Sequence, residues 1–258
     1  IRKAGIIGLL AGLSADLDFL IRSSEDSLLN LEYHRHFTHS VFFIPVAALL
    51  LSVLFWPFFR KYLSWQRVFI YTLLGYLLSG FLDACTSYGT SLFWPLSDAR
   101  VSLNIIAIID PVFTLLLLVG ITLSLKIKNK NHVRIFIALA ACYLLLGLLQ
   151  QQRAQQLAYD HALQQGHTAQ RLLVKPTLGN LLLWRALYLH QDQYYINALW
   201  VNPLSGAGEL IPGQSIERFD PEHHELPIPA DSLLQIDIQR FALFSDNYLA
   251  LHPEHPDR

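Results

Sequence analysis

Methionine is missing from the 258-residue sequence, even at position 1, and only two cysteines occur, Cys85 and Cys142. With no Met at its head the sequence reads as a trimmed chain. Two cysteines in apolar surroundings exclude a disulfide framework and a CxxC metal site. Charge is scarce too: Asp, Glu, Lys and Arg make up 15% of the chain, against about 25% in an average soluble domain. Apolar residues reach 53%. That composition excludes a disordered chain and argues against an ordinary cytosolic enzyme. No block of basic residues offers a surface for nucleic acid. No Gly-rich phosphate loop, GxSxG elbow or HExxH helix is present.

The charge that exists is unevenly divided. Residues 1–150 carry 12 basic and 8 acidic residues, a balance of +4, whereas 151–258 carry 7 and 12, a balance of −5. The first half holds four uncharged runs, Val41–Phe59, Val68–Leu82, Pro111–Leu125 and Ile135–Gln152, and a shorter one, Ala4–Ala15. A helix crosses a bilayer with about 20 apolar residues. A soluble bundle of buried helices is the alternative, but little polar sequence remains to coat five such runs. The expected fold class is a mainly α membrane protein. About five membrane-embedded helices occupy 1–152, and a small α+β extramembrane domain occupies 153–258. Arg2 and Lys3, the loop with Arg60, Lys61 and Arg67, and the loop with Lys126, Lys128, Lys130 and Arg134 face the cytoplasm by the positive-inside rule. Alternation then places 16–40, 83–110 and the tail after about residue 152 outside.

Those outer segments hold most of the chemically capable side chains. Asp16 and Asp18 end the first run, His34 to Ser40 leads into the second, Asp83 ends the third and Asp110 opens the fourth. Ionisable groups near membrane depth are functional candidates by default, and carboxylates mixed with imidazoles suit zinc, manganese or iron. Each has a plainer reading. Asp16 and Asp18 would point about 200° apart on a continuous helix and converge only if it ends there; either can cap. His34 and His39 share a metal more naturally if His34 precedes a helix and His39 lies in its first turn, with Thr38 as its cap. The same basic, aromatic run can anchor at lipid headgroups. Asp83 and Asp110 can be membrane-edge caps. Between them the hydroxyl-rich loop Thr86 to Ser91, with Arg100 beyond it, suits a phosphate or carboxylate, or is a capped interfacial turn.

Several strings resemble the YdjM-like membrane-bound metal-dependent hydrolases of bacterial inner membranes. They are Gly12-Leu13-Ser14-Ala15-Asp16-Leu17-Asp18, Tyr33-His34-Arg35-His36-Phe37-Thr38-His39-Ser40, Leu82-Asp83-Ala84-Cys85-Thr86-Ser87-Tyr88-Gly89-Thr90 and Ile109-Asp110-Pro111. The likeness extends to Pro176-Thr177-Leu178-Gly179-Asn180, Trp184-Arg185, Arg240-Phe241 and Phe244-Ser245-Asp246. It implies a helical membrane core with a metal site, sometimes likened to the zinc-dependent phospholipase C and P1-nuclease group. The motif positions carried over are Asp16, Asp18, His34, His39 and Asp83, with Asp110 beside them. Two departures stand out: Ser79 occupies the place, four residues before Asp83, where members usually carry His, and the sequence starts after the Thr-His or similar element that members tend to have ahead of the first run; Ala15, replacing the usual Pro, matters less.

Beyond residue 150 a polar, Gln-rich stretch extends the last helix. Arg171–Lys175, Leu181–His190 and Gln193–Val201 then read as strands of a small antiparallel sheet, and Asp231–Leu251 as a helix. Glu222, His223, His224 and Glu225 can bind a metal or lie in a solvated, Pro-flanked loop; the tail around His255 reads as loose.

The function expected is an inner-membrane hydrolase working at the periplasmic face on a lipid, a lipid-linked phosphoester or an ester. Its divalent metal, zinc before manganese or iron, is held by Asp16, Asp18, His34, His39 and Asp83. Asp16 or Asp110 serves as general base, and Arg35 or Arg100 holds the substrate's negative charge. The alternative is a non-catalytic lipid-binding or assembly protein with a structural or vestigial site, a reading that Ser79 favours.

Overall fold

The computed structural model describes residues 2–127, 130–179, 181–221, 229 and 232–251. Lys128, Asn180, Glu222, His223, His224, Glu225 and His255 lie outside the described residues. The chain divides into two compact units, Ile1–Leu145 and Leu146–Arg258.

In the first unit every apolar run becomes a helix. These are α1 (Arg2–Ala15), α3 (Phe43–Phe59), α4 (Trp65–Cys85), α5 (Pro111–Ile127) and α6 (Lys130–Gln164), while α2 (Leu29–Tyr33) is one short turn between the first two runs. Two helices are long and apolar enough to cross a membrane, Trp65–Cys85 and Asn131–Gln164. A third span arises if Leu29–His39 and Phe43–Phe59, bent by 81° at their junction, act together. The expectation of five membrane-embedded helices is therefore corrected to two or three candidate spans among the described residues. At about 1.5 Å per residue, the 14 residues of α1 and the 17 of α5 fall short of a ~30 Å hydrocarbon core.

The packing of this unit is inverted relative to a soluble bundle. On α4 the buried positions Val68, Thr72, Tyr76, Gly80 and Ala84 recur every fourth residue, one stripe of a helix surface. The buried positions of the neighbouring helices are mostly small: Ala11 and Ala15 beside Ile7 on α1, and Ala47, Ala48 and Ser52 beside Ile44 on α3. Large apolar side chains point outward instead, among them Leu9, Leu13, Leu50, Leu54, Leu115 and Leu118. Small residues inside with Leu outside is the arrangement lipid selects, because hydrocarbon outside removes the drive to bury large side chains. At the α1–α4 crossing the backbones touch: a Cβ on Gly75 would collide with the Gly8 carbonyl oxygen and Cα.

The second unit is built the ordinary way. Four antiparallel strands lie in sequence order, β1 (Arg171–Pro176), β2 (Leu183–His190), β3 (Gln193–Val201) and β4 (Gly208–Glu217). Its core is large: Trp184, Tyr188, Leu199 and Val201 are essentially inaccessible. The later turns of α6 supply the buried positions Gln150, Ala154, Ala158 and Ala162, and the Gln150 side-chain amide donates to the carbonyls of Leu181 (3.1 Å) and Val201 (3.0 Å). Strand β4 has no counterpart among the expected strands, since Pro212 and Gly213 interrupt its pattern. An edge strand tolerates both.

The last helix, α7 (Leu233–Phe244), is shorter than the expected Asp231–Leu251. Ser232 caps it by accepting from the Gln235 amide at 3.2 Å. Asp246 and Asn247 stop it by turning left-handed, with φ of 53° and 56°. The amide of Asn247 returns to the Ala242 carbonyl at 2.8 Å, a C-terminal closure of the kind Asn and Gly favour. The freed chain pairs Ala250 with Arg218.

Candidate metal centre

Helix α1 stops at Ala15 and the chain tightens into a 3-10 turn, Asp16–Leu20. His39 lies in another such turn, Phe37–His39, at the bend ahead of α3, and Asp83 lies in the last turn of α4. These three endings converge. Asp16, His39 and Asp83 each bring a ligand atom within 4.8 Å of the others. His39 Nε2 stands 2.9 Å from Asp83 Oδ2 and 3.5 Å from Asp16 Oδ1. The imidazole is wholly buried, whereas the Asp16 side chain is 46% exposed.

The donor set fits a divalent metal on one feature of its own. His39 Nε2 and Asp83 Oδ2 are both sealed from solvent and stand 2.9 Å apart, close enough to share either a proton or a metal. A buried imidazole nitrogen held between two carboxylates needs a proton or a cation on it, and one imidazole with two carboxylates is a ligand mixture suited to zinc, manganese or iron.

The other face of the His39 ring explains its orientation. Thr38 Oγ1 donates to Asp18 Oδ2 at 2.5 Å and lies 2.9 Å from His39 Nδ1. A hydroxyl has a single proton; with that proton on Asp18, Nδ1 must be the donor to Thr38. Nδ1 thereby carries a proton, and Nε2 is the nitrogen that faces Asp16 and Asp83, with a lone pair for a metal when the ring is neutral. A carboxylate held behind a ligand imidazole is the usual outer support of a metal-binding His. Thr38, expected as a helix cap, does this instead. Ser40 takes over the capping, its Oγ accepting from the Phe42 amide at 3.2 Å and its carbonyl from the Ile44 amide at 2.9 Å.

The remaining expected site residues fall as follows. Asp18 is buried and stands apart from the three-residue group: its Oδ1 meets His34 Nδ1 at 2.9 Å, and its Oδ2 also accepts from the Arg35 amide at 2.9 Å. Burial by itself would raise the Asp18 carboxyl, but the hydrogen bonds from His39, Thr38, His34 and the Arg35 amide outweigh it and hold the group well below the usual carboxylate range. His34 is thus engaged with Asp18.

Arg35 is left-handed, with φ of 59°, a strained conformation for a side chain of its size. Its guanidinium pairs with Asp83 Oδ1 at 3.0 Å and donates to Thr86 Oγ1 at 3.0 Å. Asp83 therefore has an internal cation, and Arg35 is already engaged. Arg100 donates to the carbonyls of His34 (3.0 Å), Gly89 (2.9 Å) and Glu32 (3.4 Å), so it braces the loops. Asp110 is placed elsewhere in the unit. It caps α5 through the Phe113 amide at 2.9 Å and accepts from the Tyr143 hydroxyl at 2.8 Å.

Two features escaped the sequence reading. One is the Arg35–Asp83 pair, between residues 48 positions apart with no local signal linking them. The other is Tyr88, whose ring lies between the guanidinium groups of Arg35 and Arg100, 5.1 and 5.2 Å from its centroid.

Comparison with known proteins places this geometry in a lineage. The chain is 22% identical over 199 residues to a protein of Bacillus subtilis (strain 168) described as uncharacterized protein YfhP, an alignment covering 75% of this chain and 58% of that one. No solved structure matches. Residues 2–154, which hold Asp16, His39, Asp83 and their supports, match the model of the YdjM inner membrane protein family, and the chain belongs to that family.

Proposed function

We propose that this protein is a metal-dependent hydrolase of the inner membrane, acting at the periplasmic face on a lipid, a lipid-linked phosphoester or an ester. The observation that carries the reading is the convergence of Asp16, His39 and Asp83, with a buried imidazole nitrogen set between two carboxylates. A divalent metal held by these three residues would supply Lewis acidity that assists hydrolysis of such bonds. The Asp18–Thr38 pair holds the His39 tautomer, Arg35 holds Asp83, and half-exposed Asp16 is where water and substrate reach the group. Sidedness follows from charge. Arg2 and Lys3 begin α1, Arg60 and Lys61 follow α3, and Arg67 begins α4, each at the end of its helix opposite the site. The positive-inside rule sends those ends to the cytoplasm, which supports a periplasmic site and a periplasmic second unit.

The test is elemental mass spectrometry on protein purified in chelator-free detergent buffer. About one equivalent of zinc, manganese or iron is expected, with nearly complete loss in His39→Ala and Asp16→Asn while the helical circular dichroism is retained. Undiminished metal in both variants would end this ligand assignment.

A second reading has its own support. Arg35 supplies Asp83 with an internal counter-ion, and Ser79, one turn before Asp83 on α4, offers a hydroxyl in place of an imidazole. Both favour a non-catalytic lipid-binding or assembly protein. Metal-loaded protein that cleaves neither phosphodiester nor ester reporters would decide for it.

A further inference from the structure

The second unit is acidic overall, yet among its described residues two cations stand together without a counter-ion. Among its described basic residues, Arg171 pairs with Asp246, Arg218 with Asp192 and Asp220, and Arg240 with Asp237. Arg153 donates to the Gln150 side chain and the Pro203 carbonyl. Lys175 and Arg185 have no acidic partner among the described residues. They are also directly opposite each other, as register partners on β1 and β2. Like charges in that relation repel and destabilise a sheet. Burial and the neighbouring Arg185 guanidinium push the Lys175 ammonium below its ordinary value. A protein of this composition has acids to spare, so the unpaired couple calls for an explanation.

Next to them the sheet is opened by its own irregularities. The row continues from Arg185 to Ala198 on β3, a side chain too small to fill the space beside a guanidinium. The register shifts between Ile196 and Ala198, and Gly213 on β4 comes so close that a Cβ there would collide with the Ile196 carbonyl oxygen. The result is a cleft of about 510 Å³ lined by Thr177, Trp184, Arg185, Asn197 and Gln214 among others, none of them acidic. Asn197 is 7% exposed. Its side chain lies on the buried face with Ala186, where Oδ1 accepts from the Gly213 amide at 3.2 Å and holds the irregular edge of the cleft. Thr177, Trp184 and Arg185 belong to sequence strings that the metal centre leaves unused.

We propose that this cleft binds a phosphate group, presented by a soluble phosphate compound or by an anionic phospholipid headgroup. Arg185, in the lining, supplies the planar fork that suits a phosphate, and Lys175, its register partner just outside the lining, a second positive charge. The Gln214 side-chain amide, on the same face of the sheet as Arg185, adds a neutral donor. The bound anion relieves the Lys175–Arg185 repulsion. The site is independent of the metal centre, and its test is made independent as well.

The test uses full-length protein carrying His39→Ala, so that phosphate on a metal cannot contribute. Calorimetric titration with inorganic phosphate and with glycerol phosphate, and reconstitution into phosphatidylglycerol or phosphatidylcholine nanodiscs, are compared with and without Arg185→Gln or Lys175→Gln. Saturable phosphate binding that weakens at least tenfold in either variant supports the proposal with a soluble ligand. A preference for phosphatidylglycerol discs that only the variants lose, with no response to soluble phosphate, supports it with a headgroup. Without any anion, Arg185→Gln should raise the thermal midpoint of the second unit by removing the repulsion, whereas a merely structural arginine would lower it. Equal binding in protein with and without these substitutions, or none to any of the four probes, overturns the proposal.

Discussion

The two units of this chain solve the same packing problem in opposite senses. In Ile1–Leu145 the interior stripe is Ala, Gly, Ser and Thr with few larger residues, and the large aliphatics face outward. In Leu146–Arg258 the interior is Trp184, Tyr188 and Leu199. Where water is the solvent, burying an aromatic or aliphatic side chain is worth about 1.5–3 kcal/mol. Where hydrocarbon is the solvent that gain disappears, and close backbone approach through small residues replaces it. The polar groups divide differently too. The second unit spreads its ion pairs over its surface, while the first gathers Asp16, Asp18, His34, Arg35, His39 and Asp83 at one end of its helices.

The sharpest way to break the comparison is to show that the units do not occupy different solvents. In a background lacking Cys85 and Cys142, an impermeant maleimide should label Ser215→Cys from the periplasmic side in full. Ser64→Cys should react only after the membrane is opened. The reverse pattern would invert the arrangement.

A smaller effect separates exposed leucines that look alike. Leu50, 62% exposed within α3, and Leu204, 93% exposed in the second unit, can each be replaced by lysine. Lysine at the centre of a lipid-facing helix costs about 3 kcal/mol, so Leu50→Lys should sharply reduce the membrane-inserted fraction. Leu204→Lys, on a wet surface, should stay within about 0.5 kcal/mol in chemical unfolding. Equal effects would mean that the first unit's outer face is not in lipid.

The smallest effect concerns pH. Because the folded Asp18 carboxyl lies below its unfolded value, its contribution to stability is complete above the unfolded pKa of about 3.9. It is lost as pH falls from there toward the depressed folded value. Thermal unfolding of the first unit between about pH 5 and pH 2 should therefore lose stability in the native protein, with a shallower slope in Asp18→Asn. Identical slopes would remove Asp18 from its place behind His39.

Much of this architecture was legible in the sequence. The five apolar runs announce five helices, and the Gln-rich stretch announces the continuation of α6, which reaches Gln164. Three of the four strands show in their alternation. The site was legible as a set of residues but not as an arrangement. Five ligands were expected; the fold gathers Asp16, His39 and Asp83 and puts Asp18 and His34 against each other on the far side of the imidazole. Asp110, equally suggestive in sequence, is spent on capping α5 and on Tyr143. Strand β4 was missed because Pro212 and Gly213 break its pattern, and the end of α7 because the left-handed turn at Asp246 and Asn247 leaves only a weak local mark.

The sequence by itself determined which region is apolar, which is polar, and the chemistry within reach. Hydropathy, the balance of charge and residue type are sums over local properties, and these survive without knowledge of contacts. Only the tertiary structure decided which donors share a space. Asp16 and Asp18 are two residues apart, yet they meet opposite nitrogens of one His39 ring. That division depends on where α1 ends, where the chain bends before α3 and how closely α4 approaches α1. None of the three is carried by the spacing of the residues themselves.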